Sequence, residues 1–202
     1  MNETKMKIFF VAFKLFLQKG FKEVTMNEIL EQSGLSRGTF YYYFKSKEKI
    51  YEEVINTFYL SVPATTQQVK FDGTLFDFYH IHLENASRSF ARLGEMFADA
   101  KADVFSYFSL SLDALKRLPG FREKMKNVND GVLNNWMHVI KSAREKGEIS
   151  TGMTDEQVAC FFKFTLEGMG MKSTLEGKTS AENDRELIAL WDNFYNHIKS
   201  KP

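Results

Sequence analysis

Arg37, Thr39 and Tyr42 are spaced to meet a polyanion. They lie in the run SRGTFYYYFKSK, residues 36–47. A helix starting after Ser36 advances about 100° per residue. Phe40 and Phe44 then share one face, and Gly38, Thr39 and Tyr42 share the opposite one. The first face anchors in a core. The second faces outward, because three consecutive tyrosines do not fit on one buried face; Tyr41 and Tyr43 flank it. An arginine at the start of such a helix suits bidentate hydrogen bonding to guanine, and tyrosine and lysine suit phosphate oxygens. The predicted chemistry is DNA contact, with Arg37 and Thr39 on base edges and Tyr42 and Lys47 on phosphates. Lys47 opens the next helix, where backbone N–H groups and the positive dipole end add to its ammonium.

Several short elements must position these groups. Thr25 and Glu28 have capping-box spacing and predict a helix start. That helix carries Met26, Ile29 and Leu30 on its apolar side and stops at Ser33 and Gly34, where glycine supplies the positive φ of a tight turn. Leu35 plugs the turn and Ser36 caps the second helix. Ser46 caps another, running through Ile50, Val54 and Phe58. Ahead of them all, Ile8, Val11 or Ala12, Leu15 and Phe16 form the stripe of a helix over 4–19, which Gly20 is expected to end.

In this arrangement residues 4–60 closely resemble the DNA-binding domain of the TetR (tetracycline-repressor-like) family of bacterial transcriptional regulators. The matching residues are Ala12, Phe16, Gly20, Phe21, Val24, Thr25, Ile29, Gly34, Leu35 and Ser36, then Gly38 through Phe44, Lys47 and Glu48. Leu30 departs from the pattern, since the family often has a small residue there. The resemblance implies an all-α chain: a three-helix helix-turn-helix head, a larger helical ligand-binding body and a two-fold dimer. The predicted division is 1–61 for the head and 62–202 for the ligand-binding and dimerisation body. The candidate DNA-binding set is Thr25, Ser36, Arg37, Gly38, Thr39, Tyr41, Tyr42 and Lys47.

Composition agrees with a helical globular protein. The 202 residues are 44% apolar, with three prolines and 20 phenylalanines. The net charge of +1 says nothing of a polyanion partner. Its distribution says more, since Arg37, Lys45, Lys47 and Lys49 cluster in the segment argued to face DNA. One cysteine, Cys160, excludes an intrachain disulfide and reads as a small buried hydrophobe. The N-terminal residues lack the apolar core of a signal peptide, and no apolar run approaches the ~20 residues that span a bilayer. A cytoplasmic location without membrane contact is expected.

The body reads as further helices. Leu75, Phe78 or Tyr79, His82, Ala86 and Phe90 form one stripe. Leu93, Met96 and Phe97 form a short second element, and Val104, Phe108 and Leu115 belong to a third. Pro119 and Gly120 break the chain. Phe121 to Ala143 keeps helical spacing through Asn129, Asp130 and Gly131, so that segment is expected inside one long helix. Thr154 and Gln157 form another capping box. The last helix, about 181–199, carries Leu187, Leu190, Trp191 and Phe194 on an arc wider than one neighbour requires. These four are the candidate dimer interface.

No catalytic elbow, phosphate loop or metal-binding pair is present. His80 and His82 lie about 200° apart on a helix and cannot share an ion. No enzyme, metal or cofactor is expected. The aromatic content of the body, with the family resemblance, suggests a pocket lined by Phe78, His82, Phe97, Phe105, Tyr107, Phe108, Trp136, His138, Phe161 and Phe164. The expected partners are double-stranded operator DNA, a small apolar or aromatic effector and a second copy of the chain. The alternative is a DNA-bound protein-interaction factor with no small-molecule effector.

Overall fold

The structure, a computed structural model, describes residues 2–59, 71–96 and 104–201. Among these the chain is all-helical. The helices are α1 (Glu3–Glu23), α2 (Met26–Ser33), α3 (Arg37–Tyr43), α4 (Lys47–Val54), α5 (Leu75–Met96), α6 (Val104–Arg117), α7 (Phe121–Glu145), α8 (Asp155–Glu176) and α9 (Ser180–Ile198). A π-helical turn, Ile55–Tyr59, continues α4. The predicted junction between head and body falls mostly outside the described residues.

Side-chain caps fix most of the starts. Ser36 and Ser46 accept the backbone N–H groups of Thr39 and Lys49. Thr154 with Gln157, and Thr179 with Glu182, close complete capping boxes. Thr25 accepts from the Glu28 N–H, but the Glu28 carboxylate pairs with Lys19 instead of completing the box. Gly34 takes the left-handed conformation predicted for the turn, at φ 62°. Gly20 interrupts the first helix as predicted: at φ 72° and ψ 171° its backbone leaves the helical region, and a short further turn runs on to Glu23 within α1. In the body, Leu93 and Met96 lie within α5 instead of forming a separate element. Asn129, Asp130 and Gly131 lie inside α7 as predicted.

The chain forms two compact units that do not follow chain order. One gathers residues 1–65 with 93–126, the other 66–92 with 127–202. The first has its core on α1, where Ile8, Phe9, Ala12, Phe13 and Phe16 are buried. Phe40 and Phe44 meet them from α3 and its C-cap, Ile50, Tyr51 and Val54 from α4, and Leu110 and Ala114 from α6. The second packs Leu75, Phe78 and Tyr79 of α5 with Trp136 and Ile140 of α7, Val158 and Phe162 of α8, and Leu187 and Trp191 of α9.

Candidate functional site

In the first unit α3 is held from behind by apolar rings. Phe40 is fully buried and Phe44 nearly so, and Phe44 packs on Phe9 of α1 with ring centroids 5.6 Å apart. This anchoring turns Arg37, Gly38, Thr39 and Tyr42 to solvent. Tyr42 is 78% exposed, a large value for a ring this size. Tyr41 and Tyr43 are half-buried. The Tyr43 hydroxyl accepts from Asn2 Nδ2 at 2.8 Å, so it ties α3 to the start of α1. The Ser36 hydroxyl accepts from Thr39 N at 3.2 Å and lies 2.9 Å from Thr39 Oγ1. Thr25 is exposed, and its hydroxyl accepts from Glu28 N at 3.1 Å. Both hydroxyls therefore serve as helix caps.

Lys47 departs from its sequence reading. Its ammonium donates to the carbonyl oxygens of Phe21, Lys22 and Val24, at 2.8, 3.3 and 2.7 Å. It also lies 4.3 Å from the centre of the Phe21 ring. Three N–H donors meet three carbonyls left open at the end of α1, so the charge caps that helix. The geometry gives Lys47 a positioning role and leaves its ammonium no donor for a phosphate.

Sequence reasoning missed the residues of α6 that complete this unit. The kink at Gly20 turns the Phe21 N–H toward Asp113 Oδ2, 3.3 Å away. Arg117 sits 4.3 Å over the Phe21 ring and pairs with Asp113. The Tyr51 hydroxyl donates to the Leu110 carbonyl at 3.2 Å. Nothing in the local pattern around Asp113 marks it, because its partner lies 92 residues away.

The candidate pocket residues do not form one set. Tyr107 and Phe108 belong to the first unit, where Tyr107 meets Phe13 edge-on and Phe108 is exposed. Phe97 and the Phe105 side chain lie outside the described residues. In the second unit His138 and Phe164 are exposed, so neither lines an enclosed site there. Phe78, His82 and Trp136 do converge. Phe78 meets Trp136 at 4.8 Å and His82 meets it at 4.9 Å, both edge-on. Phe162, absent from the candidate set, is the centre of the cluster. It stacks on Trp136 at 4.9 Å with 7° between the planes, and on Tyr79 at 5.4 Å. Phe161 stacks instead on Phe194, at 3.8 Å.

Electrostatics separate the two neighbouring histidines. His80 Nε2 lies 3.2 Å from Asp192 Oδ1, the oxygen that also accepts the Tyr79 hydroxyl at 2.6 Å. His82 faces the aromatic cluster, where burial pushes its imidazole down to about 4. Burial, followed by the bond to Glu148, pushes the Tyr195 hydroxyl up to about 12.

Of the candidate dimer residues, Leu187 and Trp191 are fully buried in the chain's own core, which corrects their assignment to a seam. They face inward because α8 and α5 already cover that side of α9. Leu190 is exposed, and Phe194 is half-buried against Phe161. The other large exposed apolar residues of α8 are Phe164 and Leu175, at 57% and 72%. Among the described residues, no helix is long and apolar enough to cross a membrane.

Comparison with known proteins places the head first. Residues 8–54 match the profile of the bacterial regulatory proteins, tetR family. The HTH-type transcriptional repressor BepR of Brucella suis biovar 1 (strain 1330) is 23% identical over 159 residues, 78% of this chain and 74% of that protein. Other curated relatives align over 48 to 73 residues, and the chain spans 17% to 37% of their length. Among solved structures, reduced E. coli NemR superposes with a TM-score of 0.70 at 18% identity, covering 99% of this chain and 100% of that one. The SmeT–triclosan complex superposes with a TM-score of 0.65 at 18% identity, covering 94% and 91%. At these identities the superpositions speak for the fold.

Proposed function

We propose that this chain is a transcriptional regulator of the TetR family and not an enzyme, a cytoplasmic repressor that leaves its operator when a small apolar or aromatic effector binds. Residues 1–61 act as the DNA-binding head, its core completed by α6, and the remainder of 62–202 as the effector-binding and dimerisation body. The observation that carries DNA reading is the exposed face of α3. A helix pinned by Phe40 and Phe44 keeps Arg37, Gly38, Thr39 and Tyr42 in solvent. Arg37 and Thr39 take base edges and Tyr42 takes a phosphate. A homodimer sets two copies of α3 in successive major grooves, about 34–36 Å apart. The effector reading is supported by the aromatic cluster around Trp136 and Phe162 and by the fold likeness to SmeT, solved with triclosan.

Selection from a random duplex library, followed by titration of an operator panel, tests this reading. The selected site is expected to be a palindrome with half-sites one helical turn apart. Arg37→Ala should lose about 1–3 kcal/mol and relax the preference at one position per half-site. Equal loss on every sequence would refute base reading by Arg37. An effector that releases DNA must itself bind less tightly to the DNA complex, by the same factor.

A further inference from the structure

The second unit buries two tryptophans completely, and they are treated differently. The Trp191 indole N–H donates to Thr165 Oγ1 at 2.8 Å. The Trp136 indole N–H is buried with no hydrogen-bond acceptor. Other polar groups of this unit are matched: Tyr79 donates to Asp192, and Ser173 to Asn183 at 2.6 Å. Among the described residues of this unit, Trp136 Nε1 is the one buried side-chain polar atom without such a bond. An orphaned buried donor costs about 1–3 kcal/mol. The stacking on Phe162 would be served equally by a ring without a polar atom, so the N–H is retained at a cost.

Its surroundings narrow what would accept that bond. Trp136 is walled by Phe162, Phe78, His82 and Trp191. His82 is the least covered of these four side chains and the one that borders solvent. Burial alone shifts His82, with no charged group contributing. The imidazole is therefore neutral at physiological pH, with one donor and one acceptor nitrogen. A charged molecule here would lose its hydration and gain no counter-ion.

We propose that the Trp136 indole N–H is the hydrogen-bond donor of the effector site, and that the effector is an uncharged planar aromatic molecule carrying an acceptor atom, seated against Trp136, His82 and Phe78. This rests on the reading that the second unit binds a small effector. The acceptor satisfies the orphaned N–H, and the rings supply non-directional apolar contact. Related compounds are then ranked by their acceptor more than by their outline.

Naphthalene and quinoline are the probes: equal in shape, both uncharged at neutral pH, and differing by one acceptor nitrogen. Calorimetric titration of the full chain should show quinoline binding about fivefold tighter than naphthalene, the effect of one modest hydrogen bond. Trp136→Phe should bring that ratio to about one, and Trp191→Phe should leave it unchanged. In 15N–1H spectra of the unsubstituted protein, quinoline should move the Trp136 indole resonance further downfield than naphthalene does, as a hydrogen bond to the N–H requires. A ratio near one before substitution, or a ratio that survives Trp136→Phe, overturns the donor assignment and leaves the effector reading standing. Absence of saturable binding by either probe overturns both.

Discussion

A lysine placed for phosphate by its sequence position is occupied by carbonyls in the folded chain. Lys47 closes the end of α1 with three hydrogen bonds. Replacing it by methionine keeps the stem and removes the charge. The three carbonyls then lose a charge-assisted partner, and stability measured in urea should fall by about 1–3 kcal/mol. The salt dependence of operator binding should hold its slope, since no phosphate contact is lost. A slope shallower by about one would return Lys47 to the phosphate set. His82 leads to a second expectation at this scale. Its imidazole titrates near 6.5 when unfolded and at about 4 when folded. Between those values the unfolded chain binds more protons, so stability falls as pH drops from 6.5 toward 4. By pH 5 this residue alone should cost about 2 kcal/mol. His82→Phe should flatten the curve by that amount in paired denaturant titrations at pH 7 and pH 5. Parallel curves would mean that the ring is solvated.

At the scale of elements, Gly20 carries the sharpest expectation. Its φ of 72° and ψ of 171° lie where side-chain-bearing residues are strained, while the nearest outside atom to an added Cβ is Asp113 Oδ2 at 3.8 Å. Space is therefore not the obstacle, and Gly20→Ala should cost about 1–3 kcal/mol through the backbone alone. Thermal unfolding would measure it, and an unchanged midpoint would show that the kink relaxes. Most helix starts were legible because caps are local: Ser36, Ser46 and Thr154 announce themselves within three residues. Thr179 and Glu182 carry the same signal, and their box starts the last helix just ahead of the predicted range. What stayed hidden depends on distant partners. Glu28 turned to Lys19, Lys47 to the end of α1, and Asp113 to a backbone group 92 residues earlier. The exposed face of α3 was readable from periodicity. The split of the candidate pocket residues between two units was not, because helical spacing records which face is apolar and not which neighbour covers it.

At the scale of the whole molecule, assembly is the open expectation. Phe164 of α8 and Leu190 of α9 remain exposed after the chain has buried Leu187 and Trp191. Glutamates at both positions should leave the fold intact and hold the chain as a monomer in light scattering, because an unpaired charge buried in a seam costs several kcal/mol. Operator binding should weaken with it, since two half-sites are then no longer held together. A folded variant that stays dimeric would move the seam to another face.

The grip of α6 on the head sets how this protein can be taken apart. Leu110 and Ala114 share the core built on Phe13, Phe16 and Tyr51, and Asp113 answers the open N–H at the kink of α1. A cut at residue 61 would strip one wall from that core and two hydrogen bonds from its rim. Transplanting this unit onto a foreign body therefore requires grafting the stretch 104–121 as well. The portable cassette is discontinuous, and recombination at the chain's obvious seam would join two incomplete halves.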